Sequence, residues 1–386
     1  MDSMDLTLIP SSRIVEVARL AFMTPDVDFL CFGESDQLSP VSARDAAIGA
    51  LRDEHTRYPD VRGLPALREA LCGYLSGLHA KPVAEGRIQV TASGMAAISV
   101  AMTAILRPGH RVVLHSPAWP NIASAARLRG AVVDQIDLDV QPDGGFRLDL
   151  DKLDAMMDGA RAFVLNTPGN PTGWTASEAE LLAIREIAGR HGAWIISDEV
   201  YSRLVYDGRP AAPSMLDIAE SDERIIVCNS FSKTWMMTGW RLGWMVVPDG
   251  AIEAIVDIVE AVHSGVAPFT QRAGVAAIAD TEAVELFRAY CTTGRALAGE
   301  ALAGLNGIRY QPPDGAFYAF LAVEGLDDSL DLAKKLVTRH GVAVAPGAAF
   351  GSAGEGWLRV CFAQSATLME RAMQRLREGL RAEVGS

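Results

Sequence analysis

The chain has 386 residues, of which 49% are hydrophobic and 22% charged, enough apolar material for a large core split between two domains and unlike a disordered segment. A net charge of −13 and a pI near 5.0 argue against a basic nucleic-acid face and against anionic membrane surfaces, though local arginines can still hold small anions. Five cysteines far apart without a CxxC, and seven scattered histidines without an HxxxH, predict free thiols, a reducing cytoplasm and no metal site.

In chain order, MDSMDLTLIP is acidic and lacks a signal-peptide pattern. Ile88 to Leu106 carries no charge, but its first part, IQVTASG, is polar and contains glycine. Only Met95 to Leu106 reads as a helix, and about 12 residues suit a buried core helix better than a bilayer span of roughly 20. Five apolar runs follow: RVVLHSP (111–117), AFVLNTP (162–168), AWIISDE (193–199), RIIVCNS (224–230) and RLGWMVV (241–247). They read as buried strands, with amphipathic helices between them such as Ser177–His191. Strands alternating with helices predict an α/β fold with a mostly parallel sheet flanked by helices.

After about residue 285 the pattern becomes α+β: a helix over Glu285–Leu305, the runs GIRYQP and GAFYAFLAV, a helix near Ser329–His340, then GVAVAPG, WLRVCFA and a last helix over Leu368–Ala382. The predicted division is a large domain at 45–285 and a smaller α+β domain built from both termini, 1–44 and 286–386.

The ends of the apolar runs carry the polar sequence: SPAWPN, NTPGNPTG, SDEVY and NSFSK. Ligands of open α/β sheets bind at the carboxyl ends of strands, so Ser93, Trp119, Asn170, Asp198, Tyr201, Ser230, Ser232 and Lys233 can converge on one site. Lys233 is one of only five lysines against thirty arginines, and the other four sit in polar or amphipathic sequence. Between RIIVCNSFS and TWMMTGW its amine is partly desolvated, which lowers its pKa and makes it a nucleophile for a Schiff base. The competing reading is a lysine snorkelling from a strand end.

Ser230, Ser232 and Arg241 together suit a phosphate dianion, although serine is common at strand ends and arginine is commonly exposed. Asp198 ends a buried run, where a carboxylate is costly without a cation such as a protonated pyridine nitrogen; otherwise it reads as a helix cap. Tyr201 can reach the same site or be a core tyrosine. Ser93 and Gly94 precede a helix whose free N–H groups suit phosphate. Asn170 sits in turn-forming sequence, and Trp119 either stacks on a flat ring or packs in the core.

With NTPGNPTG, SDEVY, SFSKTWMMTGWRLGW, RYPDVRGLPALREAL and GVAVAPGAAFG…WLRVCFA in this order and spacing, the chain resembles the class I/II aminotransferases of PLP (pyridoxal 5′-phosphate) fold type I, in the aspartate-aminotransferase superfamily. The resemblance covers nearly the whole length. It implies an aminotransferase that uses PLP and moves an amino group from an L-amino acid to a 2-oxo acid by a ping-pong mechanism, as a homodimer with shared sites. By the same resemblance Lys233 forms the Schiff base and acts as general base, Asp198 pairs with the pyridine nitrogen, and Asn170 and Tyr201 bind the ring oxygen. Trp119 stacks on the ring, and Ser93, Gly94, Met95, Ser230, Ser232 and Arg241 hold the phosphate, joined by Tyr58 from the neighbouring subunit. Arg359, with the Gly33 backbone, grips the substrate carboxylate. One departure is FGESD, where Ser35 replaces the proline usual in family members with GEPD.

A PLP-dependent carbon–sulfur β-lyase of the same fold is the alternative, since it uses the same cofactor residues. A DNA-binding regulator built on such a domain needs an added module for which the start of this sequence offers no room. A neutral amino acid is expected over aspartate: the segments matching those that supply a distal cation in relatives offer Ser264, Gly265, Val266, Ala267 and Met95. Met236 and Phe350 are the apolar candidates for the side-chain pocket, and Arg13 and His263 the candidate cations.

Overall fold

Seven short strands, five of them the apolar runs, pair into one sheet in the computed structural model, which describes residues 9–384. Most of the acidic amino-terminal stretch that lacks a signal pattern lies outside the described residues. The strands are β1 (Ile88–Thr91), β2 (Arg111–Ser116), β3 (Val132–Asp137), β4 (Ala162–Asn166), β5 (Trp194–Asp198), β6 (Ile225–Ser230) and β7 (Gly243–Val246), in the order β1-β7-β6-β5-β4-β2-β3. Pairing is parallel from β6 to β3, whereas β7 runs antiparallel to both β1 and β6.

The continuous apolar runs are explained by cover on both faces. Val112, Leu114, Val164 and Ile196 enter one core with the helix α2 (Gly94–Ile105), while Val113, Phe163, Leu165 and Ile195 enter the core of the other face. Truncating one of them to alanine costs about 2–5 kcal/mol. The helix α3 (Glu178–Arg190) starts at a reciprocal cap in which the Ser177 hydroxyl and Glu180 carboxylate each accept the other's backbone N–H.

A second sheet, β8 (Ile308–Arg309), β9 (Tyr318–Val323), β10 (Ala345–Pro346) and β11 (Trp357–Cys361), is antiparallel in the order β8-β9-β11-β10. With α1 (Arg13–Met23), α4 (Thr281–Leu302), α5 (Ser329–His340) and α6 (Ala366–Glu383) it encloses a third core, which draws on Val17 and Leu30 near the amino terminus and on Phe287 to Leu380. Tyr201 and Leu204, just past β5, also join this core.

Three elements differ from expectation. β1 is a fully buried strand: the Gln89 amide donates to the Val61 carbonyl at 2.7 Å and Thr91 to the Ser93 carbonyl at 2.9 Å, while Gln89 Oε1 is left without a partner. β3 is a half-exposed edge strand whose Asp134 and Asp137 break the apolar pattern. α4 begins at Thr281, since the Asp280 carboxylate accepts from Ala283 N at 3.1 Å. Among the described residues no helix is long and apolar enough to cross a membrane, and the five cysteines are free thiols.

Candidate active site

Parallel pairing puts Asn166, Asp198 and Cys228 side by side at the carboxyl ends of β4, β5 and β6. Gly243 on β7 lies opposite both Thr91 and Ser230, so the start of α2 meets the end of β6. There a cavity of about 360 Å³ opens, lined among others by Gly33, Gly94, Met95, Trp119, Asn170, Asp198, Tyr201, Ser230, Ser232, Lys233, Arg241 and Arg359. Residues more than 300 positions apart are thereby brought to one site. Ser93 caps α2 immediately behind the cavity wall, its hydroxyl accepting from Ala96 N at 3.1 Å.

Lys233 and Asp198 have pKa values shifted toward each other. Burial lowers the Lys233 ammonium from 10.5 to about 8, and its amine donates to the Gly33 carbonyl. Burial raises Asp198, only 4% exposed, from 3.8 to about 7, against a lowering by the Val200 N–H and with a further rise from the Glu199 charge. Asn166 donates to Asp198 Oδ2 at 3.1 Å and the more distant Lys233 charge lowers the carboxyl least of its neighbours, so the carboxylate is held by amides with no cation paired to it directly.

The start of α2 forms an anion cradle. Ser93 adopts φ +141°, a conformation that favours glycine, and the backbone N–H groups that follow belong to a helix N-terminus. The Ser230 and Ser232 hydroxyls lie 2.9 Å apart, and Arg241, held at φ +54°, anchors its guanidinium to the Thr238 carbonyl at 2.6 Å. Gly243 permits this approach: a Cβ there would stand 2.5 Å from the Ser93 carbonyl carbon and 2.6 Å from Gly94 N.

Arg359, 2% exposed, donates to Asn170 Oδ1 at 2.9 Å and to the Cys31 carbonyl at 2.6 Å, while its Nε has no partner. Its guanidinium lies over the rings of Tyr318 and Phe350, 4.4 and 4.9 Å from their centroids. Among the described residues no carboxylate pairs with it, and a buried cation without a counterion is a site for an anion.

Some sequence candidates fall elsewhere. Met236, held at φ +52°, lines a separate surface depression with Trp240, Phe269 and Thr270. Phe350 is a platform under Arg359 and lines an adjoining cavity. His263 faces the Gly265 carbonyl at 3.2 Å, outside the main cavity. Arg13 is 53% exposed, 3.4 Å from the Glu16 carboxylate, and lines the adjoining cavity. Tyr58 is 91% exposed and outside the cavity of its own chain. Gly33 offers its carbonyl to Lys233, which leaves only its N–H for a carboxylate.

Sequence reasoning missed other residues at the site. Tyr318, in the apolar run GAFYAFLAV, places its hydroxyl 2.7 Å from that of Tyr201. Asn166 holds Asp198 and also accepts from Asn170 N at 2.8 Å; its position at the end of AFVLN, before the quoted turn, was the available signal. Fully buried His115, lowered to about 4 by desolvation, accepts from Asn166 N at 3.0 Å, and nothing in RVVLHSP marks that contact. Ile14, Val15, Phe32 and Ile98 complete the apolar wall.

A large sheet carrying a desolvated lysine, a buried aspartate and an anion cradle at its strand ends, joined to a small sheet carrying a buried arginine, gives a site whose chemistry suits a small anionic amine beside a nucleophilic lysine. Comparison with known proteins agrees. The family model for aminotransferase class I and II matches residues 26–376, and the chain belongs to that family. It is 32% identical over 381 residues to an aspartate aminotransferase of Pyrococcus horikoshii, covering 97% of this chain and 96% of the relative. It is also 32% identical over 390 residues to aromatic-amino-acid aminotransferase 2 of Thermococcus litoralis, covering 97% of each. A Thermus thermophilus aspartate aminotransferase single mutant superposes with a TM-score of 0.90 at 29% identity, over 98% of this chain and 100% of that structure. The protein is a transaminase, moving an amino group between an amino acid and a 2-oxo acid; its family is PLP-dependent.

Proposed function

We propose that this chain binds PLP in the cavity through Lys233 and uses the residues named above as the resemblance implies. The observation that carries the reading is one cavity holding a lysine lowered to about 8, an aspartate raised to about 7 and a buried arginine without a carboxylate. These fit the cofactor: Asp198 lacks the cation that a pyridinium supplies, and the α2 cradle with Ser230, Ser232 and Arg241 suits a phosphate dianion. When bound, PLP supplies an electron sink for the bond-breaking at the substrate α-carbon.

Lys233 Nζ, partly unprotonated near neutral pH, would be the attachment amine and, when free, the base that removes the α-proton. Asp198 would hold a proton on the ring nitrogen, and Asn170 and Tyr201 would bind the ring oxygen. Trp119 covers the ring face. Arg359 aligns the substrate by its α-carboxylate, with Gly33 N–H beside it. The same proposal includes a cytoplasmic homodimer in which Tyr58 completes the partner's phosphate site. It also divides the chain into a cofactor-binding unit at 45–285 and a smaller unit at 1–44 and 286–386, supported by the separate core that both termini share.

The cavity's cations, Lys233, Arg241 and Arg359, each have a role, and its remaining wall includes Ile14, Val15, Phe32 and Ile98. That supports a neutral amino acid over aspartate, because a second carboxylate needs its own cation. The relatives, named for aspartate and for aromatic amino acids, differ on this point.

Borohydride reduction of the PLP-loaded protein, followed by peptide mapping, tests the attachment. The adduct belongs on Lys233; an adduct on another lysine overturns the assignment. Comparing kcat/KM for aspartate, alanine, leucine and phenylalanine with 2-oxoglutarate as acceptor tests the substrate class. A tenfold preference for aspartate, about 1.4 kcal/mol, defeats it and points to Arg13.

A further inference from the structure

Tyr318 opens β9, is fully buried and lines the cavity. Its ring meets that of Tyr201 edge-on, with centroids 5.7 Å apart, and the two hydroxyl oxygens are 2.7 Å apart. Phe317 flanks both rings, at 5.3 Å from Tyr201 and 4.9 Å from Tyr318, and limits their movement. The Tyr318 ring also lies beneath the Arg359 guanidinium. A Cβ on Gly33 would stand 2.3 Å from the Tyr318 hydroxyl oxygen, so glycine at 33 is what leaves room for that hydroxyl.

Each phenol has one proton. If Tyr201 donates its proton to the cofactor's ring oxygen, the short contact between the two hydroxyls can only run from Tyr318 to Tyr201. A hydroxyl that accepts one hydrogen bond donates more strongly in another. We propose that Tyr318 is a positioning residue: its hydroxyl donates to Tyr201 and so directs Tyr201's only proton at the ring oxygen, while its ring supports Arg359. The inference rests on the reading of Tyr201 as the ring-oxygen partner. It links the cofactor end of the site to the carboxylate end through one side chain.

Tyr318→Phe keeps the ring and removes the hydroxyl. A hydrogen bond to the ring oxygen competes for the charge that holds a proton on the lysine-linked nitrogen. Weakening it raises the pH midpoint of the lysine-linked cofactor's absorbance. The expected rise is at least about 0.3 pH units, in the same direction as in Tyr201→Phe and smaller. Turnover falls about three- to tenfold, while KM for the amino acid stays within about twofold because the platform under Arg359 remains. The double variant titrates like Tyr201→Phe alone, since the Tyr318 hydroxyl acts only through Tyr201. Gly33→Ala displaces the hydroxyl with the tyrosine retained; its shift, in the same direction, should vanish in the Tyr201→Phe background, which separates it from any effect through the Lys233–Gly33 contact and provides the test should Tyr318→Phe fold poorly.

A Tyr318→Phe midpoint equal to that of the unaltered protein, or full additivity with Tyr201→Phe, overturns the proposal while leaving the assignment of Tyr201 intact. If Tyr201→Phe itself leaves the midpoint unmoved, the ring-oxygen role of Tyr201 fails and this inference fails with it.

Discussion

At the scale of single residues, burial has shifted two groups in ways that define measurable outcomes. Asp198 titrates near 3.8 when exposed and at about 7 in the fold. Between those values the unfolded chain has released a proton that the cofactor-free fold retains. Raising the pH through this window therefore removes stability from the cofactor-free protein, by at most roughly 1.4 kcal/mol per pH unit, and the loss is complete above about pH 7. A cationic ring nitrogen keeps Asp198 ionised and removes that penalty. The gain in Tm on adding PLP should thus be larger at about pH 7.5 than at about pH 5.5, and Asp198→Asn should reduce the difference to the part that the Lys233 amine contributes. Differential scanning calorimetry of both proteins checks this; an equal gain at the two pH values contradicts it. Arg359 makes a complementary case. It is buried, supported by two rings and forked between Asn170 and the Cys31 carbonyl, a geometry that an ammonium cannot reproduce. Arg359→Lys should lose at least tenfold in kcat/KM for the best amino acid, and a change below about threefold, roughly 0.7 kcal/mol, would show that charge alone suffices.

At the scale of elements, the site depends on how closely β7 approaches the start of α2. The antiparallel β7 is inserted between β1 and β6, and Gly243 is where it passes the Ser93–Gly94 peptide. Gly243→Ala forces the two backbones apart, because a Cβ 2.5 Å from a carbonyl carbon cannot be accommodated by rotating a side chain. Overpacking of this kind costs about 1–3 kcal/mol. The expected result is at least a tenfold weaker Kd for PLP by calorimetric titration, with the far-UV circular dichroism retained. A Kd within twofold of the unaltered protein would mean that the cradle tolerates the displacement. A different set of contacts explains why β1 escaped a reading based on hydropathy. Its glutamine and threonine are buried by partners 28 and two residues away, and their hydrogen bonds substitute for apolar character.

At the scale of the whole molecule, Tyr58 is large, aromatic and 91% exposed, although the family resemblance gives it a phosphate-binding role. The proposed homodimer would resolve that tension. Mixing Tyr58→Ala subunits with Lys233→Ala subunits should restore activity above either parent, because each hybrid dimer has one site with both residues intact. If the subunits exchange, as followed by native mass spectrometry, and activity never exceeds that of Tyr58→Ala, the crossing is wrong.

The sequence by itself determined five of the seven strands of the large sheet and most of the cavity. Continuous apolar runs are an inevitable product of parallel strands covered on both faces, and polar residues at their carboxyl ends mark where a ligand can reach the sheet. Lys233, Asp198, Asn170, Tyr201, Ser230, Ser232 and Arg359 were legible for that reason or through the resemblance, and all line the cavity. Only the tertiary structure decided which side chains meet across elements. Tyr318 reads as one more apolar strand residue, and its contact with Tyr201 spans 117 positions. His115 looks like any core histidine until β2 is paired with β4 and Asn166 N is found against its ring nitrogen. Met236 and Phe350, the apolar candidates for the side-chain pocket, do not line the cavity, although Phe350 packs under Arg359 at its edge, because backbone direction rather than residue type decides which surface a side chain covers. Local sequence encodes strand, helix and cap through nearest-neighbour physics; the pairing of distant side chains depends on how the two sheets pack, which no local pattern specifies.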